Sequence, residues 1–418
     1  MKTKAVRLYG SDDIRLEEFE LPEITNDEIL VKVMSDSLCM STYKEVKQGA
    51  DHIRVPNDVK DNPVIIGHEF SGVIVKVGEN WRNTYHAGKQ FALLPGIPDQ
   101  MEAPGYSYRY LGGDCTYCIV PKDVIEKGCF FEVAMDSYYE ASVVEPLYCV
   151  IGGYNANIHL VSGSHQPQYS TKKDGNLIIL GGCGPMGIMA IGYALAKENK
   201  PKRVVVTDID DLKLKRTQQL ISEEYAKHFG VELHYINTNK VENEVQELMG
   251  ITKGEGYDDV FVYTPIKAVA ETANKILAFD GCMNLFAGPA DKNFSAVMNL
   301  YDSHYRNTKI IGSSGGLRAD YVESLELIRN KKVNPATMIT HIGGLDAVVE
   351  ATVQLPKIPG AKKLIYTQIS LPLTAIEEFE VLGETDELFK KLHASCERHQ
   401  GLWNAEAEQI LLAAKQAA

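Results

Sequence analysis

The run 176–196, NLIILGGCGPMGIMAIGYALA, constrains the fold of this chain more than any other segment. An uninterrupted apolar strand enters a glycine-rich turn, and an apolar helix leaves it. A strand without polar alternation is buried on both faces, as in a parallel sheet covered by helices. The alternation then repeats. RVVVTDID reads as a strand, DLKLKRTQQLISEEYAKHFG as one helix, DDVFVYT as a strand, about Ala268 to Ala278 as a helix, and CMNLFAG and KIIGSSGG as further strands. This is the pattern of a doubly wound, Rossmann-type α/β domain.

The flanks read differently. Residues 1 to about 150 carry short β-branched runs (KAVRLYG, IRLEEFELP, EILVKVMSDS, FSGVIVKVG) broken by Gly, Pro, Asn and Asp. Past Gly316, DYVESLELIRNKKV reads as a helix and KKLIYTQISL as a strand returning to the first domain. A chain of 418 residues exceeds what one core serves. The expected division is a β-rich catalytic domain over 1–153, a dinucleotide-binding domain over 154–315, and a return segment with a C-terminal extension over 316–418. HLVSGSHQPQYSTKKDGN, from His159, reads as a polar insert near the junction. The last fifty residues read as an acidic tail ending in a helix, capped by Asn404 with Glu406 and Glu408 in its first turn.

A net charge of −13 leaves no basic field for nucleic acid or an anionic membrane. No run approaches the ~20 apolar residues that span a bilayer. The charged start, MKTKAVRLYG, has no apolar core of an export leader, and the eight cysteines are sparse. A cytoplasmic protein with reduced thiols or metal-ligating cysteines is expected.

In the glycine turn, Gly182 permits the tight bend and Gly184 lets backbone amides approach a pyrophosphate. Pro185 and Met186 open the helix, and Gly187 lets it pack on the strand. Free N–H groups at the helix start suit the phosphates. Asp208 ends the next strand, where a carboxylate bonds both ribose hydroxyls. Its charge favours NAD over NADP. Lys213, Lys215 and Arg216 follow closely, so NADP stays open.

Three scattered features supply metal-ligand chemistry: Cys39 in DSLCMSTYK, His68-Glu69 in VIIGHEFSG, and Glu145 in VVEPLYCV. In this order they resemble the zinc-dependent medium-chain dehydrogenases, and the likeness runs over nearly the whole chain. It implies a GroES-like catalytic domain beside the Rossmann domain. Cys39 matches that family's first zinc cysteine, His68 the histidine of its G-H-E motif, and Glu145 the glutamate of its polyol dehydrogenase branch. Cys39 and His68 then supply two zinc ligands, and Glu69 and Glu145 complete the shell directly or through water, with one position left open. Zinc in such a site acts as a Lewis acid on the substrate oxygen.

Two departures matter. The stretch LLPGIPDQMEAPGYSYRYLGG lacks the four cysteines that hold a second, structural zinc in many members, so one zinc per chain is expected. Cys115 and Cys118 lie in a predicted strand and read as structural. Beside Cys39, Ser41 keeps the relay hydroxyl. Thr42 stands where an acid is usual, and Lys44 where a histidine is usual.

The runs DSLCMSTYKEVKQGADHIRVPNDV, GPADKNFSAVMNLYDSHY and GLWNAEAEQILL resemble most the L-sorbose-1-phosphate reductase branch. The resemblance implies interconversion of a keto-sugar phosphate with a polyol phosphate (L-sorbose 1-phosphate with D-glucitol 6-phosphate), in a homo-oligomer, dimer or tetramer. A phosphate needs convergent cations. Lys44, Lys47, His52, Arg54, Arg109, His304 and Arg306 are the candidates, and Lys44 suits phosphate better than a proton relay. Two readings stand beside this one: a zinc polyol dehydrogenase acting on a free sugar alcohol such as sorbitol, and a non-catalytic NAD(P)H-binding protein on the same scaffold.

Overall fold

The computed structural model describes residues 1–416. It divides into two compact units, one of residues 1–145 with 339–418 and one of residues 146–338. The contact boundaries therefore fall at 145/146 and 338/339, against 153/154 and 315/316 read from the sequence. The second boundary moves because Tyr321 of the helix Arg318–Arg329 packs edge-on against Tyr148, with ring centroids 5.6 Å apart. Among the described residues, no helix is long and apolar enough to cross a membrane.

The unit 146–338 is built on a six-stranded parallel sheet. Its order is Glu232–Asn237, Arg203–Asp208, Asn176–Leu180, Tyr257–Val262, Leu277–Leu285, Lys309–Gly312. That is the doubly wound order with the glycine-turn strand at the switch point. Ile178, Val205 and Val260 sit side by side in register, fully buried. Two helix readings are corrected. The run DLKLKRTQQLISEEYAKHFG is two helices, Asp211–Leu220 and Glu223–Lys227, because Ser222 breaks the first and caps the second by accepting the Tyr225 N–H. The helix read over 268–278 is Lys267–Lys275, and Ala278 belongs to a strand. The polar insert is no solvated loop at its start. His159 is buried in the hairpin of Ile158–Leu160 and Pro167–Tyr169, with its ring nitrogens 3.1 Å from Asp259 Oδ1 and 3.1 Å from the Asp280 carbonyl.

In the other unit, the strand Ile29–Leu38 is the hub of an eight-stranded sheet. It pairs antiparallel with Ser71–Val77, Tyr117–Val120 and, from the end of the chain, Lys362–Tyr366. The register Lys363 opposite Leu38 sets Lys362 beside the end of the hub strand, where Cys39 follows. Cys115 and Cys118 are both fully buried, Cys118 within the strand Tyr117–Val120 and Cys115 bridged to Ala5 just before it.

The C-terminal segment is part of this core. Asn404 caps the helix Ala405–Gln416 by accepting the Ala407 N–H at 3.0 Å. Glu408 is not in the solvent. It is buried and accepts the N–H groups of Tyr138 and Tyr139 and the Tyr366 hydroxyl at 2.7–2.9 Å, while Trp403 donates to that same hydroxyl. Burial pushes the Glu408 carboxyl up to about 7, and its three donors keep it from rising further. Glu408→Ala leaves three donors unmatched and costs about 3 kcal/mol of stability. The unfolded chain releases this proton more readily than the folded one. The contribution of Glu408 is therefore full below its ordinary value of 4.5 and falls as the pH rises through about 7. Thermal melts of wild type and E408A should differ more at pH 5 than at pH 8.

Candidate active site

Cys39 is the N-cap of the helix Met40–Gln48, at the end of the hub strand. His68 and Glu69 lie in the turn between Val64–Ile65 and Ser71–Val77. The Cys39 sulfur, a His68 ring nitrogen and a Glu69 oxygen all lie within 4.8 Å of one another. Thiolate, imidazole and carboxylate at this spacing form a donor set that accepts zinc. His68 and Glu69 are buried and Cys39 is half-buried. Glu145, in the first turn of the helix Val144–Ala156, stands beside the three without joining that group. Burial and the charge of Glu69 push its carboxyl up to about 7.

The surroundings fix the donors. Thr42 Oγ1 lies 3.2 Å from His68 Nδ1, and the Tyr106 hydroxyl lies 3.3 Å from Nε2. Thr42, placed where an acid is usual, thus orients the imidazole. Asp36 Oδ1 accepts the Glu69 N–H at 3.1 Å. Lys362 forms a buried ion pair with the Glu69 carboxylate, and the Ser37 hydroxyl donates to it as well. Burial alone would push the Glu69 carboxyl up, but Lys362, His68 and Ser37 together hold it below its ordinary value. Burial and Glu69 push the Cys39 thiol up, against the pull of Lys362. Burial lowers His68, which keeps the imidazole neutral and able to bind a metal. The thiol of Cys39 points at the Ser41 hydroxyl, 3.7 Å away.

The basic candidates separate. Lys44, His52 and Arg54 gather near this centre: the charges of Arg54, Lys44 and His68 all act on His52. Lys47 pairs with Asp12 at 2.6 Å, and Arg109 is exposed over the Tyr110 ring. His304 and Arg306 lie in the other unit, where Arg306 donates to the Leu277 carbonyl. Sequence reasoning missed Lys362 and Tyr106. Their only signal was a lysine opening a returning strand and a tyrosine in a loop.

In the unit 146–338 the helix Pro185–Ala196 starts at the glycine turn, with Pro185 in its first turn, Met186 next and Gly184 as N-cap. A Cβ on Gly187 would sit 2.2 Å from the Gly182 carbonyl oxygen, so the helix approaches the turn only because this residue is glycine. The left-handed residue of the bend is Gly181 (φ +70°), and a Cβ on Gly182 would lie 2.8 Å from side-chain carbons of both Ile179 and Val206, so this tight turn needs glycine at Gly182 as well. Apart from its own chain neighbours, no residue comes within 4 Å of a Cβ built on Gly184, which leaves room for a pyrophosphate. Asp208 accepts the N–H groups of Cys183, Ile209 and Asp210 at 3.3, 2.8 and 3.2 Å, which fixes its carboxylate at the mouth of the turn. Lys213 and Lys215 are exposed, and Arg216 donates to the Thr337 carbonyl.

Residues 185–330 match the zinc-binding dehydrogenase family, and residues 25–130 match the alcohol dehydrogenase GroES-like domain. The chain is 46% identical over 413 residues to mannitol-1-phosphate 5-dehydrogenase of Aliivibrio fischeri, covering 98% of this chain and 97% of that one. The chain belongs to the zinc-binding dehydrogenases. This dehydrogenase is also 42% identical to L-sorbose 1-phosphate reductase of Klebsiella pneumoniae, over 98% of this chain and 97% of that one. Its fold matches the crystal structure of 2R,3R-butanediol dehydrogenase from Bacillus subtilis with a TM-score of 0.70 at 23% identity, over 87% of this chain and 99% of that one. It is an oxidoreductase acting on alcohols, with zinc and a nicotinamide dinucleotide as cofactors. The non-catalytic reading is thereby set aside.

Proposed function

We propose that this dehydrogenase interconverts L-sorbose 1-phosphate and D-glucitol 6-phosphate by NAD(P)-linked hydride transfer. One observation carries the reading. A thiol–imidazole–carboxylate group within 4.8 Å belongs to a chain that matches, over nearly its whole length, relatives named for a hexitol phosphate and a ketose phosphate. The relative named for mannitol 1-phosphate supports a second substrate of the same class.

Cys39 and His68 hold the metal, and Glu69 and Glu145 complete its shell directly or through water. When bound, zinc supplies Lewis-acid polarisation of the substrate oxygen and the nicotinamide accepts or donates hydride. Thr42 holds the His68 ring in place. Lys362 holds Glu69 ionised. Ser41 takes the substrate hydroxyl proton toward water.

Gly182, Gly184, Pro185, Met186 and Gly187 cradle the pyrophosphate, and Asp208 bonds the ribose hydroxyls. Asp208→Ala removes that acceptor and a charge that repels a 2′-phosphate. The ratio of kcat/KM with NAD to that with NADP should fall about 10–100-fold, the worth of one or two charge-assisted hydrogen bonds. An unchanged ratio places Asp208 away from the ribose.

The test of the function is steady-state turnover of D-glucitol 6-phosphate, mannitol 1-phosphate and D-glucitol with each dinucleotide. The phosphorylated hexitols should exceed free D-glucitol in kcat/KM by at least about tenfold. Equal or better use of D-glucitol would favour a free-polyol dehydrogenase.

A further inference from the structure

The chain is acidic overall, so a phosphorylated substrate must find a local cluster of cations. Among the basic candidates, three stand near the metal donors, and two of them, His52 and Arg54, lie against one ring. The Tyr106 hydroxyl lies 3.3 Å from His68 Nε2. Its ring lies parallel to the His52 imidazole at 5.6 Å, and the Arg54 guanidinium carbon lies 5.6 Å from its centroid. The Arg54 guanidinium has no carboxylate or hydrogen-bond acceptor among the described residues. A half-buried arginine held by an aromatic face, with its five donors uncommitted, is suited to bidentate recognition of a phosphate.

The loop that carries it is fixed. Ser107 Oγ donates to the Arg54 carbonyl at 2.6 Å and accepts the Ala103 N–H at 3.0 Å. His52 Nδ1 accepts the Arg54 N–H at 3.3 Å. A neutral imidazole accepting at Nδ1 carries its proton on Nε2, so His52 offers a further donor. Burial and the neighbouring charges of Arg54 and Lys44 push His52 down to about 4, which keeps it in that neutral form.

Resting on the reading of this protein as a sugar-phosphate dehydrogenase, we propose that Arg54, His52 and Lys44 form the substrate-phosphate subsite, with Tyr106 as the wall between that phosphate and the metal donors. The subsite selects a phosphate monoester on the polyol chain, while the oxygen to be oxidised reaches the group of Cys39 and His68. Lys44 lies on the helix Met40–Gln48 that Cys39 caps.

The experiment compares wild type, Arg54→Gln and Lys44→Gln, zinc-loaded, with Lys47→Gln as a control on the same helix. For each, kcat/KM is measured on D-glucitol 6-phosphate and on D-glucitol, KM is measured for NAD, and binding of inorganic phosphate is followed by calorimetry. Arg54→Gln should lower the phosphorylated-to-free ratio about 10–100-fold, chiefly through KM, and weaken inorganic phosphate binding, with Lys44→Gln changing both in the same direction. Lys47→Gln should keep the wild-type ratio. A ratio unchanged in Arg54→Gln overturns the subsite and leaves the functional reading standing. So does a rise in the KM for NAD with that ratio unchanged, which would assign Arg54 to the dinucleotide. A wild type without preference for the phosphorylated hexitol overturns the functional reading and the subsite together. Arg54→Lys should recover part of the ratio, separating loss of charge from loss of fold.

Discussion

Cys39→Ala should lose bound zinc and more than about 10³-fold of turnover, while the protein still binds nucleotide. Removing one oxyanion-hole donor from an acyl-transfer hydrolase costs about 10²–10³ in turnover, and a metal polarising the reacting oxygen does at least as much. The donors leave little redundancy. Cys39, His68 and Glu69 are the only His, Cys, Asp or Glu side chains among the described residues grouped at metal-binding spacing, and Glu69 is already shared with Lys362. His68→Ala should behave in the same way. Glu145→Ala should be milder, because Glu145 stands outside that group. Nucleotide binding should survive, since the glycine turn and Asp208 belong to the other unit. Zinc analysis, turnover and dinucleotide fluorescence on the same preparation read all three, and turnover retained after complete zinc loss overturns the assignment.

Ser41→Ala should lower turnover about 10²–10⁴-fold with zinc content intact. The substrate hydroxyl must give up its proton before hydride can leave the carbon beside it. Ser41 lies in the first turn of the helix that Cys39 caps, and its hydroxyl is 3.7 Å from the Cys39 sulfur. From there it can exchange hydrogen bonds with an oxygen next to the metal. A loss of zinc in Ser41→Ala would show that the hydroxyl supports the thiolate instead. The predicted signature is normal zinc, normal nucleotide affinity and a slowed chemical step, read as a larger primary deuterium isotope effect or a shifted pH–rate profile.

The parts of this molecule that depend on local pattern were legible in the sequence. The buried run Asn176–Leu180 announces a parallel strand, and the glycine spacing announces the helix that follows. Cys39 and His68 were legible because their short motifs carry ligand chemistry with them. What depends on register across the chain was not. Lys362 reaches Glu69 across 293 residues of separation, through the pairing of Lys363 with Leu38. Nothing in KKLIYT distinguishes a buried ion-paired lysine from a solvated one. Glu408 looked like one more charge in an acidic tail, yet it closes a helix start near Tyr138. The seven basic candidates were indistinguishable as letters. Lys47 is committed to Asp12, and Arg54 rests on the Tyr106 ring. The break at Ser222 was hidden because a cap inside a helical pattern reads as one polar residue among others.

The most direct test of the central claim is metal content against turnover. The purified protein is stripped with a chelator, then titrated with zinc while D-glucitol 6-phosphate oxidation is followed with NAD and NADP. Activity should vanish in the stripped protein, return in proportion to zinc, and saturate at about one zinc per chain, the stoichiometry of one catalytic centre with an open position. Full turnover in the metal-free protein, or saturation only with a second zinc per chain, would contradict it.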